Sequence, residues 1–415
     1  MTKLVVICRV FVSEYMIYRW RVMARENKDL DITLIGHVEY KSDEFGKGNK
    51  NLALGDVEDD RFHYRPVYFR NARFYSKGID GLRGWLRVHR PDFVYLIGLE
   101  TSDISLQVAY VKKHYLPSMK MAMFTMRGPD MPTKSLRHPG SLVWWMKWNI
   151  LKRWYDAIFV HYPHGVEIVR EQGGYKGPVY MQTQVGVSNE WFHPDADARR
   201  RIRKELGLAD DDYAFGIVCR TDLRKGMIEI LDALPDSPKA KLVHVGDGPD
   251  MPKFKAHIEK LGLGNRVILA GHVSLPEPVR REGVKYIQDY FNALDCAVLM
   301  SQTFPKTNVD SYPLVVSQAM ATALPNIVSS SGGLPYEVGD IGDVVPERDV
   351  NALRKAMQHR FENREEGREQ GRRLCERLQH SFEMHHLNRC FVTVMKDILA
   401  DRFNPDHADQ TKFRF

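Results

Sequence analysis

The chain has 415 residues, of which 43% are hydrophobic and 27% charged, with a formal net charge of +7. These are the proportions of a soluble globular protein long enough for two domains, each with its own core. No run approaches the roughly 20 apolar residues that cross a bilayer. The five scattered Cys lack metal-ligand spacing, so they read as buried thiols of a reducing compartment and place the protein in the cytoplasm.

Residues 4–8 follow Met1-Thr2-Lys3 and read as a first strand rather than a signal peptide. Strand-like apolar runs recur at 3–8, 32–36, 93–97, 121–125, 157–161 and 179–182, with helical patterns at 13–25, 103–114 and 142–154. Across 112–153, nine Lys or Arg stand against one acid, Asp130. That excess is larger than the whole-chain surplus, so an anionic substrate or an anionic membrane surface would be drawn to this part. No nucleic-acid module accompanies the charge. Four Trp and three bases within 142–155 suit a helix at a bilayer interface, or a helix packing its Trp side inward, as the helix that precedes the strand at 157–161 in such a fold would.

The rhythm repeats at 214–219, 241–245, 267–270, 296–300 and 326–329. Strands alternating with helices argue for parallel sheets covered on both faces, and there are too many units for one such sheet. Two Rossmann-like doubly wound domains follow, with a boundary in 186–200 and a helix at 195–206. The domains expected are 1–188, 189–381, a helix at 382–402, and a polar tail at 403–415 that frays.

Chemistry-bearing residues gather in the second half. Arg220 ends one strand, and Lys225-Gly226 stands where a helix begins. Two cations at the carboxyl end of a parallel strand can clamp a diphosphate, although solvated surface residues would look the same. Gly246-Asp247-Gly248 and Gly271-His272 close two further strands, either for backbone approach to a ligand or as ordinary tight turns. Pro313 suits a helix start, which would leave the N–H groups of Leu314 and Val315 facing a phosphate. Asp310 and Gln318 flank that start, as hydroxyl-binding groups or as a helix-capping loop acid and a solvated helix residue.

In this order, Arg220…Lys225-Gly226, Gly246-Asp247-Gly248-Pro249, residues 267–271, residues 295–301, residues 310–321 and Gly332-Gly333-Leu334-Pro335 closely resemble the second domain of retaining glycosyltransferases of family 4, the group 1 glycosyl transferases of GT-B fold. The resemblance covers roughly 185–360. It implies two domains facing a cleft, with a C-terminal helix crossing back to the first. It implies that Arg220, Lys225 and Asp310 act on the donor. Gly246, Gly248, His272, Leu314, Val315 and Gln318 would bind that donor, a nucleotide-diphospho-sugar co-substrate. No cofactor and no metal are implied, because cations and the helix start neutralise the leaving diphosphate.

The chain departs from the family at Asp310 and Gln318, where the relatives carry Glu, and in having no Gly before Gly36. Arg9 stands near the missing glycine pair, and Arg127 near a usual His. With Asp130 as an acceptor base, these are candidates for the sugar or acceptor, and His161 and His164 stand beside them. The resulting expectation is a retaining, metal-independent transfer to a glycan or lipid-linked acceptor in envelope polysaccharide or glycoconjugate synthesis, at the inner face of the membrane. A nucleotide-sugar-binding protein of the same fold with little transferase activity is the alternative. A double-Rossmann epimerase would need acid/base groups on both faces of the sugar, and none can be placed.

Overall fold

Along the strand β1 (Thr2–Cys8) every residue from Leu4 to Cys8 is buried, because the two faces enter different cores. Val5 and Ile7 join one apolar cluster, while Leu4, Val6 and Cys8 join another. A continuous apolar strand therefore marks a sheet covered on both sides. The computed structural model describes residues 1–8, 14–37, 57–70, 73–75, 81–125, 139–304 and 310–413. The chain divides into two units, one running to Val185 and resuming at His385, the other spanning Gly186–Met384.

In the first unit the further strands are β2 (Leu30–His37), β3 (Val57–Asp59), β4 (Phe62–Arg70), β5 (Arg73–Tyr75), β6 (Phe93–Ile97), β7 (Lys120–Phe124), β8 (Ala157–Val160) and β9 (Val179–Met181). The sheet runs β3-β4-β2-β1-β6-β7-β8-β9, with β5 on β4. Only the short β3 and β5 pair antiparallel, as edge strands. The sequence patterns missed β3–β5, because polar residues and Pro66 interrupt the apolar run of β4. The helix Met384–Leu399 belongs to this unit and buries Cys390, Phe391, Val394 and Met395 beside Leu4, Val6, Trp20 and Tyr95. Trp20 is fully buried, and each such side chain contributes roughly 2–3 kcal/mol. Buried Arg19 ties the helix in, donating to Asn388 Oδ1 and to the carbonyls of Thr183, Gln184 and Leu387 at 2.7–3.1 Å.

The expectation of a fraying tail at 403–415 is corrected. Gln410 is fully buried and accepts from the Thr183 N–H at 2.7 Å, the Ala408 carbonyl accepts from Met181 N–H, and Phe413 enters the core. These bonds satisfy the open edge of β9, a tertiary requirement invisible in a polar sequence.

The second unit contains β10 (Tyr213–Val218), β11 (Ala240–Val245), β12 (Val267–Gly271), β13 (Cys296–Leu299), β14 (Asn326–Ser329) and β15 (Asp343–Val345). All pairs are parallel, in the order β12-β11-β10-β13-β14-β15. Counted within the unit, that is the Rossmann order 3-2-1-4-5-6. The connection reverses between β10 and β13, so loops leaving those two strands diverge and open a crevice at their carboxyl ends.

Candidate functional site

Beyond β10 the chain passes Cys219 and Arg220 and makes a single 3₁₀ turn, Leu223–Lys225. Asp222 caps it by accepting the Arg224 N–H at 3.1 Å. Gly226 ends it at φ +68°, where a Cβ would lie 2.2 Å from the Met300 carbonyl oxygen. Only glycine fits both the left-handed backbone and that approach. The turn is thereby pinned against the end of β13.

The pinning places Lys225 Nζ 2.7 and 2.5 Å from the two carboxylate oxygens of Asp310. Ser301, two residues after β13, donates its hydroxyl to the same carboxylate. Gly333 N–H donates to the Asp310 carbonyl at 3.0 Å, so the Gly332-Gly333 motif fixes the backbone of this residue. Arg220 lies 2.8 Å from Asp222, which also binds Arg224. The Arg224 side-chain hydrogen bond, against the opposing effect of burial, holds the Asp222 carboxyl well below the usual carboxylate range. The side chains of Arg220 and Lys225 are 26% and 23% exposed, so both cations remain accessible.

The helix Leu314–Ala321 begins after Pro313, with no side-chain cap. Val316 N–H returns to the Pro313 carbonyl at 2.9 Å. Among the described residues no acceptor lies on the N–H groups of Leu314 or Val315, as expected of a first turn. These two donors and the helix dipole favour an anion. Gln318 is one turn further on and only 3% exposed, on the inward face of the helix.

Gly246 and Gly248 meet the protein's own backbone. A Cβ at Gly246 would sit 2.0 Å from the Cys219 carbonyl oxygen, and one at Gly248 would sit 2.4 Å from that of Thr221. Their missing side chains let the loop after β11 pack on the Cys219–Thr221 segment that carries Arg220. His272 follows Gly271 and is exposed. In the first unit, burial beside Phe124 pushes the His161 imidazole down to about 3, so it is neutral at pH 7. His164 is exposed and pairs with Glu167 at 2.8 Å. Arg9, Arg127 and Asp130 lie outside the described residues.

The structure thus brings Arg220, Lys225, Asp310, Leu314 and Val315 to one end of one sheet. Motif reading missed Ser301 and Asp222. A polar residue just beyond a strand at the reversal point was the available signal for Ser301, and Asp beside two Arg was the signal for Asp222.

The two parallel sheets, one with its reversal point lined by cations, define the GT-B class of fold. Solved structures similar over nearly the whole chain are a sucrose-phosphate synthase from Thermosynechococcus elongatus (16% identity, 97% of this chain and 100% of that one, TM-score 0.70) and Anabaena HepE in complex with UDP and glucose (16%, 95% and 100%, TM-score 0.66). Residues 198–374 match the sequence model of the family Glycosyl transferases group 1. Curated relatives include the GDP-mannose-dependent alpha-(1-6)-phosphatidylinositol monomannoside mannosyltransferase of Mycolicibacterium smegmatis, 30% identical over 180 residues, 41% of this chain and 44% of that protein. Another is the D-inositol 3-phosphate glycosyltransferase of Xylanimonas cellulosilytica, 28% identical over 162 residues, 37% and 36% respectively. The matched region is less than half the length of these relatives.

Proposed function

We propose that the protein is a retaining, metal-independent glycosyltransferase that moves a sugar from a nucleotide-diphospho-sugar to a glycan or lipid-linked acceptor in envelope polysaccharide or glycoconjugate synthesis. The carrying observation is at the strand reversal: Lys225 holds Asp310, Arg220 lies on the same loop as Lys225, and the helix start with the Leu314 and Val315 N–H groups follows Asp310 within five residues. As the glycosidic bond breaks, negative charge grows on the leaving diphosphate. Fixed cations and N–H donors lower the barrier most when aimed at that charge. Asp310 would accept sugar hydroxyls. The acceptor hydroxyl would attack from the leaving-group face, which retains the anomeric configuration. Glycosyl transfer, without its stereochemistry, is in the names of several curated relatives, among them the mannosyltransferase.

The assay is incubation with a panel of nucleotide-sugars, reading hydrolysis and transfer. Turnover is expected, and its absence with every donor despite tight binding would favour a nucleotide-sugar-binding protein. One observation supports that second reading: Asp310 is already held by Lys225 and Ser301.

For a lipid-linked acceptor we place the protein at the inner membrane surface. The helix Pro139–Leu151 leaves Val143, Met146 and Ile150 each about half exposed, at i, i+3 and i+7 of one face. Trp148 takes the inward course and donates to the Gly173 carbonyl at 2.8 Å. Among the described residues no helix is long and apolar enough to cross a membrane. Co-sedimentation with anionic vesicles should be lost when all three exposed residues become Gln. No binding by the unaltered protein would end this placement.

A further inference from the structure

Glu337 is fully buried, although carboxylates are seldom buried without a cation on them. It lies on the short helix Leu334–Val338 that follows the two glycines. From the helix Leu314–Ala321, Ser317 donates its hydroxyl to Glu337 Oε1 at 2.5 Å. From the helix Arg364–Gln379, Arg377 approaches but spends its donors on backbone, reaching the carbonyls of Glu337 (3.0 Å) and Tyr336 (2.7 Å). Asp310, itself paired with Lys225, adds a like charge from the loop side. Oε2 has no hydrogen-bond partner among the described residues. Burial, the dominant cause, pushes this carboxyl up to about 8.

Ser317 is the middle of a relay. Its oxygen lies 2.6 Å from the Tyr312 hydroxyl, and because the serine proton goes to Glu337, the tyrosine proton goes to Ser317. Tyr312 stands two residues after Asp310 and two before Leu314, inside the turn that presents both the carboxylate and the free N–H groups. Its ring packs on Phe382 with centroids 5.8 Å apart. Neither Ser317 nor Glu337 faces the crevice: both are fully buried.

We infer that Glu337, acting through Ser317, is a positioning residue that holds Tyr312 and with it the Asp310-to-Leu314 turn of the donor site. The inference rests on the nucleotide-sugar reading above. A buried neutral acid serves here where an ionised one would add a second negative charge behind Asp310, close to the place where the donor's phosphates would sit.

The test uses the whole chain and three variants, Glu337→Gln, Ser317→Ala and Tyr312→Phe. A carboxyl raised above its unfolded value of 4.5 contributes stability that is full below that value and lost as pH rises through about 8. The Tm of the unaltered protein should therefore fall relative to Glu337→Gln between pH 5 and 8 and run parallel above. The effects of Tyr312→Phe and Glu337→Gln should be non-additive, and should become additive when Ser317 is Ala. In titrations with UDP, GDP and ADP, Ser317→Ala and Tyr312→Phe should weaken binding about tenfold. Glu337→Gln should bind evenly from pH 6 to 9, while the unaltered protein weakens above pH 8. An identical pH course of Tm for Glu337→Gln and the unaltered protein, additivity in both backgrounds, or unaltered nucleotide binding by all three variants would each overturn the inference. No nucleotide bound by the unaltered protein would instead strike the donor-site reading itself, and the Tm comparison would still decide whether the relay exists.

Discussion

Both sheets reverse their order beside the first strand of the unit, between β1 and β6 in one and between β10 and β13 in the other. The strand ends carry different things. After β6, Glu100 is 6% exposed, accepts from Thr125 Oγ1 at 2.9 Å, and receives Tyr155 Oη on its carbonyl. After β10 and β13 the polar groups stay about a quarter exposed and hold one another across loops far apart in sequence. Among the described residues, the end of β6 therefore carries a buried, hydrogen-bonded acid, while the ends of β10 and β13 carry accessible ionic groups. A fold supplies the place for a ligand, while the loops decide what can be bound there.

Five substitutions would break or sharpen this contrast. The largest effect belongs to the open end. Lys225→Ala or Arg220→Ala should cut transfer by about 10²–10³-fold, the scale of a lost charge-stabilising donor. Neither should shift Tm by more than a few degrees, since both side chains are partly exposed. Unchanged turnover in both would remove the ionic site from the comparison. Next comes Arg19→Ala in the first unit, which leaves three buried carbonyls without their donor. It should cost about 3 kcal/mol in denaturant unfolding, with nucleotide affinity of the remaining folded protein unaltered. A cost under about 0.5 kcal/mol, the level of a surface change, would show that the last helix is held by apolar packing alone.

Gly226→Ala should destabilise by about 1–3 kcal/mol through left-handed backbone and the clash with the Met300 carbonyl. It should also weaken nucleotide binding by displacing Lys225. Stability and affinity that both match the unaltered protein would contradict the pinned turn. The smallest effect is Asp222→Asn, about 1 kcal/mol as a weakened cap and lost ion pairs. The Asp222 carboxyl is depressed on folding, so its contribution is present above the unfolded value of 3.8 and is lost as pH falls below it. The gap between variant and parent should close in acid below about pH 4, and a gap that persists there would assign the effect to packing.

What could be read from the chain alone is local. Apolar runs of strand length located β1, β6 and β10–β14 to within a residue or two, because strands inside a covered sheet are built largely of apolar residues. Turn chemistry marked Lys225-Gly226 and the Pro313 helix start, because a left-handed turn and a helix N-terminus each select one or two residue types. The short strand β15 and the polar strand β4 escaped, since three residues carry no period and a strand with His, Arg and Pro does not read as apolar.

Tertiary structure alone decided which of these marked residues meet. Lys225 and Asp310 are 85 positions apart, and Ser317 and Glu337 are 20 apart, on different elements in each case. The glycines after β11 show the same division. As sequence they allow either close approach of a ligand or an ordinary tight turn, and in the fold the backbone of Cys219 and Thr221 packs where their side chains would be. The sequence marks Glu337 in no way. The helices around it close over its carboxyl, and that burial pushes the group up, because its protonation follows from surroundings that packing creates and a linear pattern does not contain.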